Sequence, residues 1–212
     1  MVKKLQKDTK IKDIKIYVEG GGDTHELRRQ FRSGMSEFLK KLKLDIMPAI
    51  VACGGREQTF DRFSTAIKQG KNAFLLVDSE EAVAREYQGK PWQHLKKRDN
   101  WDQPVGTTDE QCHLMVQCME SWFLADKDAV ANYFGQGFNE KHFPPQGQNV
   151  EVIAKDQVDE KLANATRTCQ KGPYNKGKHS FAILGLIDPD QVKLASPWAK
   201  RFFDMLNHDC HF

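Results

Sequence analysis

The chain has 212 residues, 39% of them hydrophobic and 29% charged, with a formal net charge of +3. That length suits one generous domain, or a domain with a substantial extension, and no run approaches the roughly 18 consecutive apolar residues of a membrane span. The lysine-bearing first residues lead into no apolar stretch, so a cytoplasmic protein without a leader or membrane association is expected, and the small net charge does not by itself argue for nucleic acid.

Residues 14–18 form the first predicted strand, a β-branched and aromatic run ending in Glu19 and three glycines. Asp23-Thr24 offers a helix N-cap, with Glu26 three residues after Asp23 in the manner of a capping box. Leu27, Phe31, Met35, Phe38, Leu39 and Leu42 then recur at helical spacing. A second strand is expected over 46–52, punctuated by Gly54-Gly55, and a helix over 57–69 with Phe60, Phe63 and Ile67 on one face. The third strand, 73–77, runs into Asp78-Ser79-Glu80. Strand and helix in alternation predict an α/β fold, a parallel sheet flanked by helices.

From about 88 to 110 the chain is polar and broken by Gly89, Pro91, Pro104 and Gly106, which predicts an inserted loop. A fourth strand over 113–117 leads into a helix across 119–126 and onward to 134. After a break at 135–150 the chain reads as helical over 155–168, 179–187 and 196–206, the last opened by Ser196-Pro197. The expected organisation is an α/β core over 1–135 and a mostly helical extension over 136–212, packed on that core. Five scattered cysteines include no Cys-x-x-Cys pair, and Cys112, His113 and Cys118 fit no zinc spacing, so reduced thiols are expected.

Two strand ends carry the chemistry. In an open parallel sheet, ligands gather outside the carboxyl ends of the strands, so Glu19, Asp78 and Glu80 are expected to converge from distant parts of the chain. Asp78-Ser79-Glu80, taken as still extended, places two acids on one side. Clustered carboxylates repel unless something cationic sits among them, and hard oxygen ligands suit Mg²⁺ or Mn²⁺. Such ions polarise a phosphoryl group and activate water for attack on a phosphodiester. A lone acid after a strand more often starts a turn or caps a helix, as Asp78 would for a helix beginning near Ser79. Two acids, each following an apolar strand, favour the metal site.

Other residues are candidates around that centre. Gly20-Gly21-Gly22 would keep the strand tip open, without the Lys-Ser/Thr of a P-loop. Arg56, after Gly54-Gly55, is placed to grip a phosphate. Glu120 either completes the metal shell or complements a positive helix end, whereas Trp122 and Phe123 read as core. In the basic, glycine-punctuated stretch 171–179, Lys176 or Lys178 would neutralise phosphoryl-transfer charge and His179 would shuttle a proton; by spacing alone that stretch reads as solvated. Lys96, Lys97 and Arg98 lie between Trp92 and Trp101, a mixture suited to single-stranded nucleic acid. Tryptophans that anchor the insert on the core, with the charges in water, are the stronger expectation there.

Val18-Glu19-Gly20 and Leu76-Val77-Asp78-Ser79-Glu80 resemble the Toprim domain of topoisomerases, bacterial primases and the overcoming-lysogenization-defect nucleases, over roughly residues 14–130. More closely, Tyr17-Val18-Glu19-Gly20-Gly21-Gly22-Asp23, Met119-Glu120-Ser121-Trp122-Phe123 and Lys176-Gly177-Lys178-His179-Ser180-Phe181 look like a Toprim-like bacterial family that spans nearly the whole chain. Its members are often encoded beside ABC-type ATPases in phage-defence loci. The resemblance implies a Mg²⁺-dependent nuclease acting on DNA or a tRNA-like RNA, with the ATPase supplied in trans. It assigns acid/base transfer to Glu19, metal binding to Asp78 and Glu80, and catalytic roles to Lys176 and His179. Glu80 stands where the family pattern has a second Asp, which keeps the charge and lengthens the arm by one methylene. The remaining expectations are self-association into a homo-oligomer and, as the alternative to catalysis, a nucleic-acid-binding or regulatory subunit. A phosphotransferase with a small-molecule substrate is disfavoured because no nucleotide-binding motif is present.

Overall fold

Alternation along two inner strands decides the layering. A computed structural model describes residues 13–211, and the lysine-bearing first residues read above for a leader lie outside that range. Strands β1 (Lys15–Val18) and β3 (Ala73–Asp78) occupy the middle of a four-stranded sheet. Strands β2 (Ala49–Ala52) and β4 (Cys112–Met115) form its edges, and every pairing is parallel. Side chains two apart share a face. Ile16, Val18, Phe74 and Leu76 therefore enter one apolar cluster, while Tyr17, Leu75 and Val77 enter another. Every residue of β3 is buried, as expected of an inner parallel strand covered on both faces.

Helices α2 (Arg56–Lys68) and α3 (Pro91–Asp99) cover the second face through Phe63, Trp92 and Leu95. Helix α1 (His25–Lys40) covers the first with Phe31, Met35, Phe38 and Leu39. The same cluster takes in α4 (Lys127–Phe134), α5 (Lys155–Thr166), α6 (Lys176–Leu186), α7 (Pro189–Ala195) and α8 (Pro197–Cys210). The C-terminal portion thus shares one core with the sheet: Phe38 stacks on Trp122 at 5.5 Å and meets Phe203 edge-on at 5.7 Å.

Several local expectations change. The capping side chain of α1 is Thr24, which accepts the Leu27 N–H at 3.2 Å, and Glu26 turns outward to Arg29 and Gln30 instead of closing a box. The stretch expected to be a loop contains α3, opened by Pro91 and closed by left-handed Asn100. Residues Met119–Ala125 form a fully buried 3-10 segment, and α4 starts separately under an Asp126 cap. Trp92 and Trp101 are buried, with Trp101 stacked on Phe60 at 4.4 Å, so they anchor the insert as the stronger expectation held. All five cysteines are buried, and among the described residues none is joined in a disulfide. Among the described residues, no helix is long and apolar enough to cross a membrane.

Helices α1 and α6 meet where Gly34 removes a side chain. A Cβ at Gly34 would stand 2.2 Å from the Phe181 carbonyl oxygen. Ala in place of Gly ordinarily stabilises a helix interior by about 1 kcal/mol. Here the methyl group must push α6 away, and overpacking costs roughly 1–3 kcal/mol. Gly34→Ala is expected to lower the urea midpoint of unfolding; a raised midpoint would show that α6 does not press on α1 so closely.

Candidate functional site

The site forms at the carboxyl edge of β1 and β3. Glu19 follows β1, and its Oε2 accepts the Asp78 backbone N–H at 3.2 Å, which ties the two strand ends together. Asp78 ends β3 in the even-numbered register of Phe74 and Leu76, the face on which residues 119–125 pack. Its Oδ1 accepts the Met119 N–H at 2.9 Å. Asp78 therefore anchors the start of the 3-10 segment and caps no helix at Ser79. Glu80 is not in extended chain: its φ is 68°, in the left-handed region. Such a conformation costs a non-glycine residue on the order of 1 kcal/mol and recurs at functional sites. Ligand oxygens of Glu19, Asp78 and Glu80 all lie within 4.8 Å of one another.

The glycines serve packing more than openness. Gly20 and Gly54 exchange two backbone hydrogen bonds of 2.9 Å, joining the tips of β1 and β2. A Cβ on Gly54 would sit 2.9 Å from the Gly22 carbonyl oxygen.

Four cations answer the acids. Arg56, expected to hold a phosphate, is committed internally. Its NH1 donates to Glu19 Oε2 at 3.0 Å and to the Asp78 carbonyl at 2.6 Å. Its Nε and NH2 form a fork onto Asp99 at 2.9 and 2.7 Å, and the guanidinium lies 5.0 Å from the Trp101 ring centroid. Arg98 stands 3.9 Å from Glu80 and also contacts Asp99. Lys155, at the start of α5, reaches Glu80 Oε2 at 2.6 Å and Asp78 Oδ2 at 3.9 Å. Lys176, the first residue of α6, pairs with Glu120 at 3.0 Å. Glu120 is wholly buried, and Ser180 also donates to it at 3.4 Å. Glu120 thus neither completes the trio of ligand oxygens nor simply complements a helix end; it holds Lys176.

The other sequence candidates stand apart. His179 is 2% exposed, accepts the Asn175 N–H at Nδ1 and is packed among Tyr133, Phe134 and Tyr174. A proton shuttle there is corrected to a structural contact that fixes the beginning of α6, because aromatic rings shield the imidazole. Lys178 points to the Lys171 carbonyl at 3.3 Å and Lys96 to Asp102 at 2.9 Å. Lys97 is exposed on α3. Of the basic residues expected to contact nucleic acid, Arg56 and Arg98 join the acidic cluster.

Two members of the site escaped the sequence reading, Asp99 and Lys155. Asp99 is hidden behind the Lys-Lys-Arg run that precedes it. Lys155 carried a signal: a cation at a helix N-terminus opposes the helix dipole, so its place calls for a nearby anion.

Burial sets the proton affinities. It raises the Asp78 pKa well above the usual carboxylate value, and Glu19 and Glu120 push the same way against Lys176 and Lys155. Burial also raises Glu19, opposed by Arg56 and reinforced by Glu80. For Lys176, burial alone would lower the pKa, but Glu120 and Asp78 together outweigh it and the net direction is upward.

The donor set fits a hard divalent cation. Two ligands on one Mg²⁺, each bound at ~2.1 Å, stand no more than ~4.2 Å apart. Oxygens within 4.8 Å need to close by at most about 0.6 Å, a motion open to Glu80 with its side chain 24% exposed.

A family model described as "Domain of unknown function (DUF4276)" matches residues 18–207, and the chain belongs to that family. No curated protein and no solved structure matches it.

The raised Asp78 pKa has a consequence for stability. Through this group the folded state holds a proton that the unfolded chain loses once pH exceeds the ordinary aspartate value of 3.8. Stability of the metal-free protein is therefore lost as pH rises from there through the folded pKa. Asp78→Asn keeps an acceptor for Met119 and removes the charge. In chelator, its melting temperature should exceed that of the parent at pH 8 by about 2–4 °C, the scale of roughly 1 kcal/mol in a domain this size. The gap should shrink towards pH 5. A variant less stable than the parent at pH 8 would contradict this charge balance.

Proposed function

We propose that this DUF4276 member is a divalent-metal-dependent nuclease that hydrolyses phosphodiester bonds of DNA or a structured RNA, and acts as the effector of an ATPase-partnered anti-phage system. The observation that carries the chemistry is the convergence of Glu19, Asp78 and Glu80 within 4.8 Å at the carboxyl edge of a parallel sheet. The Toprim resemblance of the strand ends suggests the reaction class, and the closer likeness of residues 17–23, 119–123 and 176–181 to a Toprim-like family suggests the genomic setting.

Asp78 and Glu80 would hold Mg²⁺ or Mn²⁺, with Glu19 as the third ligand or as the base. Bound there, the ion supplies Lewis acidity at a phosphoryl oxygen and makes water acidic enough to yield a nucleophile near neutral pH. Glu19 is oriented through Oε2 by Arg56 and the Asp78 amide. Its Oε1 carries neither bond and takes the proton of the attacking water. Lys176, braced by Glu120 and with its side chain 57% exposed, offers its ammonium to charge developing on the phosphate. Asp99 acts through Arg56, whose fork it fills. The chain contains no P-loop motif, so a nucleoside-triphosphate requirement would come from the partner.

One observation favours a second reading, a nucleic-acid-binding or regulatory subunit without catalysis. Each of the three carboxylates already has a cation beside it within the protein. Divalent-metal titration separates the two.

Purified protein, with and without a co-encoded ATPase, should cleave plasmid DNA or total RNA in Mn²⁺. Asp78→Ala should abolish cleavage while the circular dichroism spectrum is retained. Glu19→Gln should reduce the rate by about 10²–10⁴-fold, the range for a lost general base. Failure to bind Mn²⁺, together with a Glu19→Gln variant that retains biological activity, would overturn the nuclease reading in favour of the binding subunit.

A further inference from the structure

The cations around the three carboxylates are not equivalent. Arg56 is fastened on all sides: to Glu19, to the Asp78 carbonyl, to both oxygens of Asp99, and against the Trp101 ring. Arg98 reaches Glu80 only at 3.9 Å and has Asp99 as its nearer partner. Lys155 differs from both. Its Nζ is 2.6 Å from Glu80 and 3.9 Å from Asp78, the two acids best placed to hold a metal. Its side chain is 34% exposed.

The backbone beneath Lys155 is anchored apart from the acids, while its ammonium is held by the carboxylates themselves. The Lys155 N–H donates to Gln117 Oε1 at 3.2 Å, and Gln117 Nε2 in turn donates to the Glu151 carbonyl at 3.2 Å. The end of β4 thereby fixes the start of α5. From that base a flexible four-carbon stem carries a compact ammonium. The position is unfavourable for helix stability, because a cation at a helix N-terminus meets the positive end of the dipole. Helix α5 also lacks a capping side chain at Ala154. Attraction to Glu80 and Asp78 is what holds the ammonium there.

We infer that Lys155 is an exchangeable counter-cation of the carboxylate site: it neutralises Asp78 and Glu80, competes with a divalent ion for their oxygens, and swings to the rim when the ion binds. The inference rests on the metal-site reading above and adds a regulatory part to it. Two cations cannot share Glu80 Oε2 at bonding distance without strong like-charge repulsion. Metal affinity is therefore set by the difference between ion and ammonium, not by the carboxylates alone. Once released, the ammonium is free to meet a phosphate of the substrate, so a polyanion and the metal would reinforce each other's binding. Through the Gln117 anchor, a partner that shifts α5 would change metal affinity without touching a ligand.

The test is isothermal titration of the full chain with Mn²⁺, for the parent, Lys155→Met and Lys155→Arg, with folding checked by circular dichroism. Met keeps the length of the stem without its charge and should bind Mn²⁺ about tenfold more tightly than the parent, a modest change because the pair is partly solvated. Arg keeps the charge and should bind no more tightly than the parent. In chelator, Lys155→Met should melt lower than the parent, and Mn²⁺ should raise its melting temperature by more. Equal or weaker Mn²⁺ binding by Lys155→Met would overturn the inference while leaving the metal site standing. Tight binding by Lys155→Arg equal to that of Lys155→Met would also overturn it, since packing and not charge would then be responsible. Loss of Mn²⁺ binding in all three would overturn the metal-site reading and the competition with it.

Discussion

Like charges brought together at the rim of the sheet must be balanced, and much of the architecture around residues 19, 78 and 80 serves that balance. Glu19, Asp78, Glu80, Glu120 and Asp99 face Arg56, Arg98, Lys155 and Lys176 through contacts of 2.6–3.9 Å, with a closer one between Arg98 and Asp99. Buried ions are costly unless paired and hydrogen-bonded. The arginine fork on Asp99, the backbone donors to Glu19 and Asp78, and the serine on Glu120 provide those bonds. Five acids against four bases leave a formal deficit of one positive charge, the direction that favours proton uptake or a bound cation.

The charged partners come from four separate helices. Arg56 belongs to α2, Asp99 and Arg98 to the end of α3, and Lys155 and Lys176 to the starts of α5 and α6. The insert and the C-terminal helices are thus part of the site, and their packing has consequences for it. Gly34 lets α6 approach α1 closely. His179 bonds to Asn175 one residue before Lys176. Trp101, stacked on Phe60, backs the Arg56 guanidinium. Each contact fixes the base of a charged side chain while the chemistry stays at its tip.

Local pattern made the sheet and its acids legible. Apolar runs before Glu19 and Asp78, helical spacing from Leu27 to Leu42, and the strand–helix rhythm all report on interactions between near neighbours in sequence. The partners of those acids depended on distant pairing. Nothing beside Arg56 in the chain announces Asp99, and the Lys-Lys-Arg run before it reads as a surface for phosphates. Glu80 looked extended because an isolated sequence does not reveal a left-handed residue; its amide bonds to Gln117 on the neighbouring strand's exit, at 2.8 Å. Other elements differ for similar reasons: α7, opened by Pro189, stands where no helix was expected, and tertiary burial drew 119–125 into a 3-10 segment despite its helical composition.

The central claim is that the three carboxylates form one divalent-cation site, with Asp78 and Glu80 as its ligands and Glu19 beside them. Diffraction from crystals grown with Mn²⁺, recorded where manganese scatters anomalously, tests it directly. The account predicts a strong anomalous peak between Glu19, Asp78 and Glu80, with Asp78 and Glu80 oxygens drawn in to roughly 2 Å from it and the Lys155 ammonium moved away from Glu80. A peak elsewhere, or none while Lys155 keeps its place on Glu80, would contradict it.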